Sequence, residues 1–469
     1  MKNWNFPLWK NLLIFSFTAT LGLSELRTAA TTIPVYNNND VGAGSLRQAI
    51  NDNTALGGGS TVVFSNVVGT IALLGGQLII PTNVTIIGPG ADLLAVSGNT
   101  NSRIFEIKVG ASVSISGLTL ADGKLLSSGL GGCISNSGNL TITGCTLSNN
   151  SSSSAYGNVI YNLAGSVTIR DSTMCSNRTF AAGGVLFNDG TAAIINCALF
   201  GNTGSQGAAL NNQAGRSMLV TNCTIFGNAA ADRGGGIYSA GSLTVRSCTI
   251  VSNSAAAVAG NGGGGGIAKE GTTFASIGNT IIANNTSATN QPDCSGTNFT
   301  SAGYNLIGKS NGSTGWGSLG DQVGTIASPL NPMLGPLQNS GGAAATLSPL
   351  PGSPAIDQGK SLGLTTDQRG RSRPADYPSI PNATGGDGTD IGAVEVWPES
   401  PQLNIQRLSA AVVLSWSTNA TDFRLQASTN QPPSNTWAVV SGAPGTIGSQ
   451  FCVTNVVSDG SKLYRLIFP

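Results

Sequence analysis

Histidine is absent from this 469-residue chain. Without an imidazole there is no Ser-His-Asp or Cys-His relay, no histidine general base and no histidine-ligated zinc. Charge is scarce as well: Asp, Glu, Lys and Arg make up 9% of residues and the net charge is +1, against roughly 25% charged residues in ordinary globular domains. No basic stripe is available to displace counterions from a phosphate backbone, which excludes nucleic acid as a partner. Beyond residue 30 no apolar run approaches the roughly eighteen residues of a membrane helix, so the mature chain is expected to lack a transmembrane span. Residues 1–30 read as a secretory signal, with Lys2 and Lys10 at the positive start, Leu12 to Leu23 as the apolar stretch, and Ser24 or Ala30 at the cleavage end. The expected location is therefore outside the cell or on its outer surface.

What the chain does have is a repeat. Six copies of one pattern recur at intervals near 26 residues: Cys145-Thr146-Leu147 to Asn150, Ser172-Thr173-Met174 to Asn177, Cys197-Ala198-Leu199 to Asn202, Cys223-Thr224-Ile225 to Asn228, Cys248-Thr249-Ile250 to Asn253, and Asn279-Thr280-Ile281 to Asn284. A second element is locked to the same period, as in Cys133-Ile134-Ser135-Asn136, Val159-Ile160-Tyr161-Asn162, Val185-Leu186-Phe187-Asn188 and Ala209-Leu210-Asn211-Asn212. Between them run short alternating segments such as Leu140-Thr141-Ile142 and Val167-Thr168-Ile169. Runs this short, broken by Gly, Asn and Ser, lack the three-and-four spacing of helices. The pattern predicts an all-β chain, a right-handed parallel β-helix with three short strands per turn and rungs stacked about 4.8 Å apart.

Stacking gives the repeated polar residues a purpose. Asn150, Asn177, Asn202, Asn228, Asn253 and Asn284 are expected to form one amide column, and Asn136, Asn162, Asn188 and Asn212 a second, each amide donating to one neighbour and accepting from another. Cys145, Cys197, Cys223 and Cys248 share a file beside the apolar Leu147 column and are expected as buried, reduced thiols rather than disulfides. No CxxC accompanies them, so no metal site is expected there.

The flanks differ from the repeat. Gly44 to Asn51 reads as a short amphipathic helix with Ser45 as N-cap, placed to block the open edge of the first rung. From about residue 290 the period fades and distinct strings appear: Asp293-Cys294-Ser295-Gly296, Gly303-Tyr304-Asn305-Leu306-Ile307-Gly308, Ser353-Pro354-Ala355-Ile356-Asp357, Thr366-Asp367-Gln368-Arg369-Gly370 and Asp390-Ile391-Gly392-Ala393-Val394-Glu395. These closely resemble the bacterial choice-of-anchor Q family, and the rung elements are similar to those of polymorphic outer membrane proteins. The resemblance implies an exported, surface-associated β-helix with no defined catalytic activity. After Trp397-Pro398 come about 70 residues of alternating strands that resemble a small immunoglobulin- or fibronectin-like sandwich. The expected order is a signal over 1–30, a cap and first rungs over 31–117, regular repeats over 118–289, C-terminal rungs and cap over 290–397, and the small β domain over 398–469.

Two functional readings follow. Strand alternation sends Tyr161, Phe187 and Tyr238 to the outer side of the coil, where an aromatic face would suit polysaccharide binding. This favours a monomeric structural or adhesive scaffold that contacts glycans or other cell-surface components. The alternative is a polysaccharide lyase acting on an acidic glycan. It has to draw on Arg233, Arg246, Lys269 and Glu270, because Asp122, Asp171, Asp189, Asp232 and Glu270 are the only acids between Leu118 and Asn284 and no two stack as a carboxylate pair. No cofactor is expected, apart from a calcium reading of the loop Asp387 to Asp390.

Overall fold

The computed structural model describes residues 31–397 except 126–128, 153–158, 180–182 and 257–262, and residues 401–467 except 410, 419, 429–436 and 457–461. The proposed signal lies outside the described residues. Parallel strands wind into a right-handed solenoid whose faces are sheets of 18, 11 and 7 strands.

Each regular rung carries four short strands rather than the three expected. In one turn they are Ile134–Asn136, Asn139–Thr143, Thr146–Ser148 and Ser151–Ser152. The first two columns belong to the same large sheet and merge in Ile160–Arg170 and Leu186–Ile195. The fourth column was hidden in the sequence because several of its strands are only two residues long, too short to show alternation.

The bends are set by left-handed backbone. The residue before each thiol-file position has φ between 48° and 59°, in order Gly144, Asp171, Asn196, Asn222, Ser247 and Asn279. The residue before each ladder amide has φ between 56° and 63°, in order Asn149, Ser176, Gly201, Gly227, Ser252 and Asn284. Gly, Asn, Asp and Ser recur there because a bulky L-residue pays to adopt that conformation. This corrects the sixth copy by one residue. Asn279 and Asn284 are bend residues, Thr280 joins the thiol file, and the ladder amide is Asn285. Adjacent asparagines at 284 and 285 made the two registers indistinguishable in sequence.

The longer ladder is continuous and buried. The Asn150 Nδ2 donates to Asn177 Oδ1 at 3.1 Å, and the same bond links Asn177 to Asn202, Asn202 to Asn228, Asn228 to Asn253 and Asn253 to Asn285 at 2.8–3.0 Å. Each amide also donates backward to a rung carbonyl, as from Asn202 to Met174 O at 3.0 Å. The last link is a carboxylate: Asp293 Oδ1 accepts from Asn285 N at 2.9 Å and from its Nδ2 at 2.8 Å. In the second ladder Asn136, Asn162, Asn188 and Asn212 are joined at 2.7–2.9 Å, and Asn212 then donates to Ser239 Oγ at 3.1 Å. The thiols of Cys145, Cys197, Cys223 and Cys248 are unpaired by disulfides and buried. Burial pushes the Cys145 thiol up to about 11.

At the first rung, helix Leu46–Ala55 buries Leu46, Ala49, Ile50 and Asn53, and Ser45 caps it by accepting from Gln48 N. An Arg47–Asp40 ion pair at 2.6 Å fastens it to the preceding loop. Past residue 401 two antiparallel sheets of four and three strands pack around Leu414, Trp416 and Leu425.

The ladder generates a contrast that can be measured. Asn202→Ala strands buried donors on Asn177, at about 1–3 kcal/mol for each stranded group. Asn149→Ala, two rungs earlier at an exposed bend, should cost only about 1–2 kcal/mol of left-handed strain. Urea unfolding of both variants checks this; an Asn202→Ala loss no greater than that of Asn149→Ala would contradict it.

Candidate functional site

Tyr161, Phe187, Asn211, Tyr238 and Ala268 align in register along the first column. The rings of Tyr161 and Phe187 stack with centroids 5.0 Å apart and planes at 14°. They do not form an open platform. Tyr161, Phe187 and Tyr238 are only 8%, 6% and 6% exposed, which leaves no ring face for a sugar. Alternation fixes which side of a sheet a residue faces, not whether more chain lies over that side. Backbone packing beside this column is also close: a Cβ on Gly207 or Gly234 would sit 2.9 Å from Tyr238 N. Asn211 Nδ2 donates to Gln206 O at 3.0 Å, tying the same strand to the returning turn.

The four residues assembled for a lyase do not meet. Arg233 Nη1 lies 3.9 Å from Glu270 Oε2, the Tyr238 hydroxyl donates to that same carboxylate oxygen, and the guanidinium sits 5.5 Å from the Tyr238 ring centroid. Asp232, which sequence reading left isolated, completes the group by accepting from Arg233 Nε at 3.3 Å and Gln206 Nε2 at 2.9 Å. Arg246 stands apart at the end of strand Ser242–Arg246, paired in register with Thr221 and Gly278. Lys269 turns into the second amide column, where its Nζ donates to Gly271 O at 3.0 Å and Thr297 O at 2.7 Å, and burial lowers its pKa.

A different feature is open to solvent. Along the fourth column a groove of ≈570 Å³ crosses the rungs of Thr179, Thr203, Ala229, Ser254 and Thr286. Its outward file, in register, is Arg178, Thr203, Ala229, Ser254 and Thr286, so Arg178 is the charged side chain among its walls. Sequence reading missed it because the column itself was not visible.

The C-terminal strings form a clasp over the outer face of the third column. Asn222 Nδ2 donates to Thr366 O at 2.9 Å, Thr224 Oγ1 to Gln368 Oε1 at 2.6 Å, and Ala393 N to Thr249 Oγ1 at 3.0 Å. The clasp covers an apolar cluster that includes Val251, Ile281, Leu306 and Ile391. Inside it Asp357, Asp367, Asp390 and Glu395 are fully buried, with Arg369 paired to Asp367 and Arg373 to Glu395. Burial pushes the Asp357 carboxyl up to about 7 against the hydrogen bond from Tyr377 N, with Asp376, Glu395 and Asp422 adding to the rise. Burial also raises Asp390 and Glu395, although Arg373 opposes the rise in both. The calcium loop is already occupied by protein donors: Asp387 accepts from Ser361 Oγ at 2.6 Å and Thr389 N at 3.3 Å, and Asp390 from Val396 N. Among the described residues no three His, Cys, Asp or Glu side chains are grouped to hold a metal ion, and no helix is long and apolar enough to cross a membrane.

One family comparison agrees with this architecture. Residues 69–286 match the family described as right handed beta helix region. Among solved structures, pectate lyase Pel9A aligns with a TM-score of 0.34 and 12% identity, covering 78% of this chain and 97% of that one. No curated protein sequence matches.

The raised carboxyls give a pH dependence with a definite sign. Their folded pKa values exceed those of the unfolded chain, so their stabilising effect is complete below about pH 4 and is lost, for Asp357, as pH rises through about 7. Denaturant midpoints should therefore fall between pH 5 and pH 8, and Asp357→Asn should flatten part of that fall. A midpoint that rises over the same interval would contradict the assignment.

Proposed function

We propose that the chain is an exported β-solenoid that serves as a non-catalytic scaffold outside or on the cell surface and holds an extended polysaccharide in the groove along its fourth column. The groove carries this reading. It runs along the stacking direction, so a polymer laid in it meets similar chemistry rung after rung. Hydroxyls of Thr203, Ser254 and Thr286 can exchange hydrogen bonds with sugar hydroxyls, and the methyl groups of Ala229 and Ala256 can take C–H faces. Arg178 favours a polymer bearing carboxylates over a neutral one. Export rests on the character of residues 1–30, and surface attachment on the resemblance to choice-of-anchor Q proteins. A lyase has less in its favour: Arg233 and Glu270 are paired with each other, and Lys269 is held by two carbonyls.

Affinity electrophoresis through gels containing an acidic or a neutral soluble polysaccharide tests the proposal. Ala229→Trp plugs the groove and should weaken retention by about tenfold or more, equivalent to about 1.4 kcal/mol. Arg178→Gln should weaken retention in the acidic gel alone. Unchanged retention of Ala229→Trp removes the groove from the account, and new reducing ends on incubation with the glycan would establish the lyase instead.

A further inference from the structure

The small C-terminal domain has a cavity unrelated to the groove. It measures ≈350 Å³ and lies between the two sheets, walled by Trp416 and Val453 from one and Phe423, Leu425 and Val440 from the other. That volume is within the range of about 300–1,000 Å³ typical of small-molecule sites. The walls are mainly apolar, and the polar groups among them share one property. Trp416 is 2% exposed and its Nε1 has no hydrogen-bond acceptor among the described residues. A buried indole N–H ordinarily finds a partner. At the rim Arg424 is exposed and makes no ion pair among the described residues. Ser441, also exposed, lies beside the same cavity. Indole and guanidinium only donate, and a hydroxyl can donate.

We propose that this cavity binds an aliphatic carboxylate, its hydrocarbon between the two sheets and its oxygens received by the Trp416 N–H and the Arg424 guanidinium. Such a ligand supplies the acceptor that the buried indole lacks and the anion that the rim cation lacks. The same chemistry is offered by a free fatty acid and by the C-terminus of a peptide ending in a branched aliphatic residue.

Isothermal titration of the full chain with octanoate and with N-acetyl-leucine, each beside its amide counterpart, tests the proposal and separates the two sources. At least one carboxylate should bind saturably with one site per chain, and its amide about tenfold more weakly. Octanoate binding alone assigns a fatty acid, whereas binding of N-acetyl-leucine as well assigns a peptide terminus. Arg424→Gln should weaken binding about tenfold, and Ser441→Trp, at the exposed mouth, should abolish it. Trp416→Phe should also weaken binding while leaving the unliganded chain folded, because the donor it removes has no partner to lose. Absence of saturable binding in both arms overturns the proposal, as does binding that Arg424→Gln and Ser441→Trp leave unchanged.

Discussion

The amide file from Asn150 to Asp293 is the interaction on which the rest of the solenoid depends. Every link runs the same way, with N and Nδ2 of one asparagine donating to Oδ1 of the next. Such a one-way file must end on a group that accepts. Asp293 is that group: Oδ1 takes the two donors of Asn285, and Oδ2 takes Lys309 N at 2.6 Å. An asparagine there would set an NH₂ against the Lys309 N–H. The ladder also accounts for the scarcity of charge. In a parallel coil each position faces its own repeat about 4.8 Å away, so a charged residue kept in the repeat would face its like, which is destabilising. Amides, hydroxyls and thiols can be repeated without that cost, and they fill the aligned files.

Polar chemistry with functional potential is thereby displaced to places where the repeat ends or loosens. The clasp gathers four fully buried carboxylates and two guanidiniums, more acid than base. Sharing protons is the inexpensive solution when like charges cannot all ionise. On these groups the clasp seals the third column more firmly below about pH 7 than above it. The groove on the fourth column, by contrast, is built from the repeat itself and inherits its regular spacing.

The sequence carried the coil clearly and the site poorly, for reasons visible in particular residues. Apolar positions such as Leu147, Met174 and Leu199 repeat in three-residue strands, so the solenoid and its amide columns could be read directly. The sixth copy slipped by one because Asn284 and Asn285 offer the same side chain to two roles, bend and ladder. The fourth column stayed hidden because Ser151–Ser152 and Ser254–Ala255 carry no alternation to detect. For Tyr161, Phe187 and Tyr238 alternation sets only a side of the strand, and their low exposure depends on surrounding chain that periodicity does not position. The strings around Asp357, Asp367 and Asp390 stood out by resemblance, yet nothing local in them indicated that they converge over Asn222, Thr249 and Asn279.

Native-state hydrogen exchange resolved by residue tests the central claim most directly. If the ladder is the spine of the fold, the backbone N–H groups of Asn150, Asn177, Asn202, Asn228 and Asn253, each donating to the next side chain, should exchange only through global opening and share one protection free energy. Amides of the groove strands, such as Ser254 and Thr286, should exchange by smaller openings. Ladder amides that exchange as fast as those of the groove, or with widely scattered protection, would contradict the account.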